Sequence, residues 1–400
     1  MKIGIYNPNL ATMGGGEKVC LALAEVLSAG NDVLLITYET LEKSKLEKYF
    51  GVNLKNTQIG IIEKSKLLQK IQPIRFIPNH LKKTVENYHV YKSLKKLDLD
   101  IFVNNAYNTE IPSPAKVSVF MCMFPHKLLD LHSMSFAKRT YIRLVNFGAK
   151  LLMHPKSKTW LDTYQGITAN SAFTQKYIKL YWNRDSEIVY PISDDKFVKV
   201  EKRNNILNVG RFFHNNGITH HKRQDFLVDT FVKMTDLHKK GWQLHLAGTV
   251  NENAEDMRYV VDLIRRSEGY PIHLHLDTPL DKLKELYSVS KIYWHATGYG
   301  ADKKKNPERQ EHFGISTVEA MSAGSIPVVI RSAGQEEVVS EGENGYLWET
   351  EKELVKKTLK AISDDGSLSK NAIRDSKKYD KEAFQKSSLE FFEPLYNLVD

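Results

Sequence analysis

Apolar residues along this chain come in short runs separated by stretches of helical spacing, and that alternation predicts strands linked by helices. Ile3 to Tyr6 is such a run, Gly14-Gly15-Gly16 breaks it, and Val19-Cys20-Leu21-Ala22-Leu23-Ala24 with Val26 and Leu27 suits a buried helix. Gly30 then caps that helix ahead of Val33 to Ile36, which completes a βαβ unit. Further strands are predicted at Ile101 to Val103, Val117 to Met121 and Gly166 to Ala169, so the first half reads as an open parallel sheet flanked by helices. A second start of the same type comes at Ile206-Leu207-Asn208-Val209-Gly210. It leads into a helix through Phe226 to Met234, a strand at Gln243 to Leu246, a helix near Asp256 to Ser267, a strand at His273 to Leu276, a helix near Leu280 to Ser288 and a strand at Ile292 to His295. The pattern predicts an α/β protein of two Rossmann-like, doubly wound parallel-sheet domains. In such sheets a ligand sits beyond the carboxyl ends of the strands, which places the expected site in a cleft between them.

A length of 400 residues is more than one ordinary core and fits two domains. The hydrophilic stretch from Ser193 to Asn205 is the expected boundary, giving domains 1–195 and 203–380 and a terminal helical segment 381–400 in which Pro394 is expected to kink or divide the helix. Cys20 and Cys122 are the only cysteines and neither has zinc or disulfide-framework spacing, so a reducing, cytoplasmic setting and no structural metal are expected. No signal peptide and no membrane-spanning run is read at the sequence level.

The net charge of +9 changes the picture because it is concentrated. Lys64, Lys66, Lys70, Arg75, Lys82, Lys83, Lys92, Lys95 and Lys96 crowd one stretch, Lys127, Lys138, Arg139, Arg143, Lys150, Lys156 and Lys158 another, and Leu67, Leu68, Ile71, Phe76, Ile77, Leu144, Phe147, Leu151, Leu152 and Trp160 are interleaved with them. Such a mixture is that of helices resting on an anionic membrane surface, or equally of solvated basic helix faces. No nucleic-acid-binding module accompanies it, and no nucleic acid is expected as a partner.

The segment with the most chemistry runs from Glu311 to Gly324, with Glu311 and Glu319 eight residues apart around a predicted helix start at Gly314, Ile315 and Ser316. The amides of a first helical turn have no acceptor within the helix and form a seat for phosphate. Glu319 is placed to accept from ribose hydroxyls and Glu311 from sugar hydroxyls. Taken alone, two acidic residues near a helix start are also a common complement to the helix dipole. Asp98-Leu99-Asp100 has the spelling of a metal-binding Asp-x-Asp but precedes a strand, and reads as a helix-to-strand turn.

The chain as a whole resembles the family 4 retaining glycosyltransferases of the GT-B fold, which include GDP-mannose-dependent mannosyltransferases. The resemblance runs through Gly14-Gly15-Gly16-Glu17, Asn208-Val209-Gly210-Arg211-Phe212 with Lys222, Leu246-Ala247-Gly248, Glu311 to Gly324, and Gly342-Glu343-Asn344-Gly345-Tyr346-Leu347. It implies that Arg211 and Lys222 hold the diphosphate of a nucleotide-sugar donor, where two fixed cations and a helix N-terminus meet the charge of the leaving group without a metal or other cofactor. It further implies that Gly15 and Gly16 approach the same phosphates, that Glu311 contacts the transferred sugar beside the amides of Phe313, Gly314 and Ile315, and that Glu319 binds ribose.

The acceptor is expected to be a glycan or a lipid-linked sugar. Many relatives carry a His-aromatic-Pro motif where this chain has Met123-Phe124-Pro125-His126, so His126 either takes the place of the family's histidine or is a bystander. The terminal segment either crosses back to the first domain, as in the family, or packs on the second. Rival readings are a UDP-hexose donor, a same-fold nucleotide-sugar epimerase or phosphorylase, and a non-catalytic membrane-surface protein. A nicotinamide dehydrogenase is disfavoured because Gly-x-Gly-x-x-Gly is missing.

Overall fold

Central strands buried on both faces read as unbroken apolar runs, and half-exposed edge strands alternate. Both kinds occur in the structure, a computed structural model that describes residues 1–131, 133–193, 197–214, 221–251 and 253–399. The first sheet contains β1 (Lys2–Tyr6), β2 (Asp32–Thr37), β3 (Thr57–Ile61), β4 (Ile101–Asn104), β5 (Val117–Cys122), β6 (Gly166–Ala169) and β7 (Glu187–Ile188), in the order β3-β2-β1-β4-β5-β6-β7. The second contains β8 (Arg203–Val209), β9 (Gln243–Gly248), β10 (Ile272–Leu276), β11 (Ser290–His295), β12 (Ile326–Ile330) and β13 (Tyr346–Trp348), in the order β10-β9-β8-β11-β12-β13. Every pairing in both sheets is parallel. The strand order reverses direction between β1 and β4 in one sheet and between β8 and β11 in the other, the positions where doubly wound sheets open a crevice.

The chain separates into two compact units, one of Met1–Asn170, Thr174–Tyr190 and Gln385–Asp400, the other of Ser171–Phe173 and Pro191–Phe384. Position 195, where the first domain was expected to end, and position 400 lie outside the described residues. In the first unit, β4 and β5 are wholly buried, and Phe102, Phe120, Tyr164 and Trp182 fill the core around them. In the second, Trp294 on β11 and Trp348 on β13 lie in the core with Phe226, Phe231 and Leu246, and the Trp294 indole N–H donates to Thr358 Oγ1 at 2.9 Å.

Four strands escape the sequence pattern. β3 is an edge strand of Thr-Gln-Ile-Gly-Ile with little apolar weight, and β7 has two residues. β12 carries Pro327, which argues against an internal strand. It is accommodated because Gly345, ahead of the short β13, leaves room: a Cβ there would stand 2.5 Å from Pro327 Cγ. Asp98 and Asp100 form a turn into β4, with Asp98 at a φ of 48° and Asp100 Oδ2 accepting from the Lys2 amide at 2.9 Å. Pro394 does not divide its helix, which runs as Lys381–Tyr396. The proline sits in the last turn, where little helix remains to be disrupted. Residues 385 onward pack in the first unit, with Phe391 against Gly166, where a Cβ would approach the ring to 2.8 Å. Among the described residues, no helix is long and apolar enough to cross a membrane.

One packing feature makes stability sensitive to acid. His245 on β9 is paired with His273 on β10, and its Nδ1 lies 2.9 Å from His275 Nε2. Burial, reinforced by the two neighbouring imidazoles, pushes His245 down to about 3. The unfolded chain takes up this proton near pH 6.5, as the free side chain does, while the folded chain does not, so stability is full above that pH and declines below it. Between pH 7 and pH 5 the His245 contribution is expected to cost about 2 kcal/mol. Urea midpoints at the two pH values should show the loss, and His245→Asn should flatten it; an unchanged pH dependence in that variant refutes the assignment.

Candidate active site

The second unit gathers its chemistry at the carboxyl ends of β8 and β11. β8 ends at Val209, and Gly210 and Arg211 follow in a turn held from two sides. The Gly210 amide donates to Ala247 O at 2.9 Å, and the buried Gln224 carboxamide donates to Gly210 O and Arg211 O, each at 3.2 Å. Gln224 is itself fixed by Tyr259, whose hydroxyl donates to its Oε1 at 3.1 Å. The turn lies so close to β9 that a Cβ on Gly248 would stand 2.1 Å from the Gly210 carbonyl oxygen. This is the physical reason for glycine in Leu246-Ala247-Gly248. Arg211 is exposed.

Lys222 and Glu311 meet in a short ion pair, Nζ to Oε2 at 2.6 Å, with each side chain 15% exposed. The same carboxylate oxygen lies 3.1 Å from His295 Nε2, at the end of β11, and that nitrogen is 3.1 Å from Thr297 Oγ1. Burial drives the His295 imidazole below its ordinary value against the opposing pull of Glu311. A neutral ring with its proton on Nε2 donates to Glu311, and Thr297 Oγ1 can only share that one N–H as a second acceptor. His312 is likewise pushed down by burial, to about 4, although the neighbouring Glu311 charge works in the other direction.

Four residues after Glu311 begins the helix Ile315–Ser322, with Gly314 as its N-cap at φ 105° and ψ 55°. Only glycine fits here, because the backbone is left-handed and a Cβ would stand 2.4 Å from Gln335 Nε2. The preceding loop is pressed onto Gly334, whose amide donates to Glu311 O at 3.0 Å. Phe313 is buried against the Tyr379 ring, so its side chain serves packing while its backbone stays at the helix entrance. Two tyrosines steady the helix: Tyr293 donates to Ser316 Oγ at 2.7 Å and Tyr287 to Glu319 Oε2 at 3.0 Å. The structure thus brings Lys222, Glu311, Gly314, Ile315 and Glu319 onto one linked framework. His295, Thr297, Tyr287 and Tyr293 complete it and were not singled out in the sequence. The available signal was the polar His295 closing the apolar run Ile292-Tyr293-Trp294 at the strand-order reversal.

In the first unit, Gly15 and Gly16 open the helix Gly15–Leu27, with Gly14 as its N-cap. Glu17 turns back to accept from the Gly14 amide at 2.8 Å. They are thus the first turn of a helix, not a free loop. Met123 Cε stands 3.7 Å from where a Cβ on Gly16 would be, so the methionine in the motif position lies beside the glycines. His126 is placed differently. Its Nε2 is 3.2 Å from Glu110 Oε1, and its ring stacks on Trp160 and meets Trp182 edge-on. Burial alone would raise Glu110, but the His126 hydrogen bond and the Lys83 charge outweigh it and hold the carboxyl at about 2.

Residues 190–379, nearly the span of the second unit, match the family model of the glycosyl transferases group 1. The chain is 25% identical over 270 residues to the alpha-1,3/1,6-mannosyltransferase alg-2 of Neurospora crassa, covering 58% of this chain and 54% of that protein. It is 29% identical over 287 residues to a GDP-Man:Man(3)GlcNAc(2)-PP-Dol alpha-1,2-mannosyltransferase of Caenorhabditis elegans, covering 66% and 55%. The chain therefore spans about half the length of the curated relatives it matches. Among solved structures, Anabaena Alr3699/HepE in complex with UDP and glucose superposes with a TM-score of 0.63 at 15% identity over 98% of this chain and 99% of that one. WaaG, a glycosyltransferase involved in lipopolysaccharide biosynthesis, does so with a TM-score of 0.62 at 14% identity over 98% and 99%. The fold is that of the GT-B glycosyltransferases, and residues 190–379 are similar to the glycosyl transferases group 1.

Proposed function

We propose that the chain is a hexosyltransferase that moves mannose from GDP-mannose onto a glycan or lipid-linked acceptor, with retention of configuration as in family 4. The observation that supports this best is the Lys222–Glu311 pair, held by His295 four residues ahead of the Ile315–Ser322 helix entrance. In this reading Arg211 and Lys222 hold the diphosphate, and the amides of Phe313, Gly314 and Ile315 seat it. Glu319, steadied by Tyr287, takes the ribose hydroxyls. Gly15 and Gly16 offer further first-turn amides, and His126, fixed by Glu110, belongs to the acceptor side. Two fixed cations and a helix N-terminus then carry the neutralising role that other folds give to a divalent metal.

The bond between the sugar's anomeric carbon and the diphosphate oxygen breaks, with the electron pair leaving on the diphosphate. The acceptor hydroxyl oxygen bonds to the same carbon from the same face, and its proton passes to the departing phosphate oxygen. Glu311 contacts sugar hydroxyls and forms no covalent bond. Glu311→Gln is accordingly expected to lower kcat by about 10 to 100-fold without abolishing it, the size of losing one charged contact. Complete loss, with trapping of a glycosylated enzyme in the wild type, would instead make Glu311 a nucleophile.

The names of the curated relatives support GDP-mannose over a UDP-hexose. The test is a panel of nucleotide sugars incubated with and without lipid-linked oligosaccharide. GDP release from GDP-mannose that requires the acceptor supports the proposal. Turnover confined to a UDP-hexose reassigns the donor, and acceptor-independent conversion of the sugar makes the chain an epimerase. We place this activity at the cytoplasmic surface of a membrane, where a lipid-linked acceptor resides.

A further inference from the structure

A helix in a globular protein ordinarily turns its apolar stripe inward. The helix Phe136–Met153 does the reverse: of its eighteen residues only Ile142 and Met153 are buried. Phe136, Leu144, Phe147 and Leu151 stand in solvent, Phe136 75% and Phe147 60% exposed, and with Thr140 they follow one another at intervals of three and four residues. That spacing makes a single stripe along the helix. A second element extends it. Ahead of the helix Asn79–Lys95, Leu67 is exposed and Phe76 is 88% exposed. The two elements are tied together, because His80 Nε2 meets Asn146 Oδ1 at 2.8 Å, one residue from Phe147, and Lys82 Nζ donates to Gln72 O at 2.7 Å.

The charge around this stripe has one sign. Residues 131–161 contain no Asp or Glu and six Lys or Arg, and residues 64–85 repeat that count. The core of a protein–protein interface is depleted of lysine and pairs its charges. Long basic side chains flanking exposed leucine and phenylalanine instead suit the boundary between lipid headgroups and acyl chains, where the stems lie along apolar surface and the heads reach phosphate.

We infer that this face of the first unit seats on an anionic lipid bilayer. Phe76, Phe136, Leu144, Phe147 and Leu151 enter the headgroup–acyl boundary, and Lys138, Arg143 and Lys150 pair with lipid phosphates. The inference rests on the proposed function for its purpose, a lipid-linked acceptor, but its test is independent of donor turnover. The full chain is floated with vesicles of phosphatidylcholine alone and of phosphatidylcholine with phosphatidylglycerol. Wild type is expected to float with the anionic vesicles only, in a salt-sensitive manner. A Leu144→Ser, Phe147→Ser variant and an Arg143→Glu, Lys150→Glu variant are each expected to bind them at least about tenfold more weakly. Both should keep the wild-type melting temperature and the thermal shift given by GDP-mannose, since all four side chains are away from the core. Wild type failing to float, or the serine variant binding like wild type, overturns the inference. So does a self-associated chain that the same serine substitutions dissociate and that ignores vesicles. Anionic vesicle binding that meets these conditions while no nucleotide sugar is turned over upholds the inference and removes the proposed transferase.

Discussion

An Arg211→Ala, Lys222→Ala double variant is expected to lose about four orders of magnitude in transfer, each cation contributing about a hundredfold to stabilising the departing diphosphate. The loss should fall mainly on kcat, because the charge that the two cations meet grows as the glycosidic bond breaks. The single variants should differ in kind. Arg211 is exposed, so its removal should leave folding untouched. Lys222 pairs with Glu311 at 2.6 Å where both side chains are mostly covered, and removing it should destabilise the second unit by about 3 kcal/mol as well. Adding Glu311→Gln to Lys222→Ala should restore much of that stability without restoring activity. Steady-state kinetics beside urea unfolding separates the two effects. A double variant that turns over within tenfold of wild type would remove the diphosphate assignment altogether.

Gly248→Ala should be as damaging with no chemistry altered. Its Cβ would stand 2.1 Å from Gly210 O and 3.3 Å from the Arg211 amide, both backbone atoms that cannot swing aside. The β8 turn must move away from β9, breaking the hydrogen bonds that the Gly210 and Phe212 amides donate to Ala247 O and Thr249 O. An overpacked site of this kind is expected to cost about 3 kcal/mol and to displace Arg211 by enough to abolish the thermal shift given by the donor. Gly148→Ala is the control: its Cβ would meet nothing within 4 Å and its backbone is helical. Equal melting temperatures for wild type and Gly248→Ala would show that the turn relaxes freely.

Much of this architecture was legible before the structure, and the reasons are specific. The buried runs at Ile101–Asn104 and Val117–Cys122 cannot be satisfied except between other strands, and they were readable as such. The edge strand Thr57–Ile61 needs no such burial and left no pattern. Pro327 hid β12, because its tolerance depends on a glycine eighteen positions away that only pairing reveals. The same limit governs the site. Lys222 and Glu311 were both singled out, but their direct pairing, and the part of His295 in it, follow from the parallel alignment of β8 and β11, which no local window contains. In the first unit, the substitution of Met123 into the motif position was visible. That His126 is committed to Glu110, Trp160 and Trp182 was not.

The packing of Phe391 against Gly166 has a consequence for how the molecule is made. The first unit takes in residues 385 onward, and Lys116 Nζ reaches Val399 O at 3.2 Å. A nascent chain that has passed residue 190 therefore still lacks a wall of its amino-terminal half, and must wait through the synthesis of the entire second unit to acquire it. Over that interval β6 presents an uncovered apolar surface on the ribosome, so the segment translated after the second unit is also the one that ends the exposure of the first piece folded.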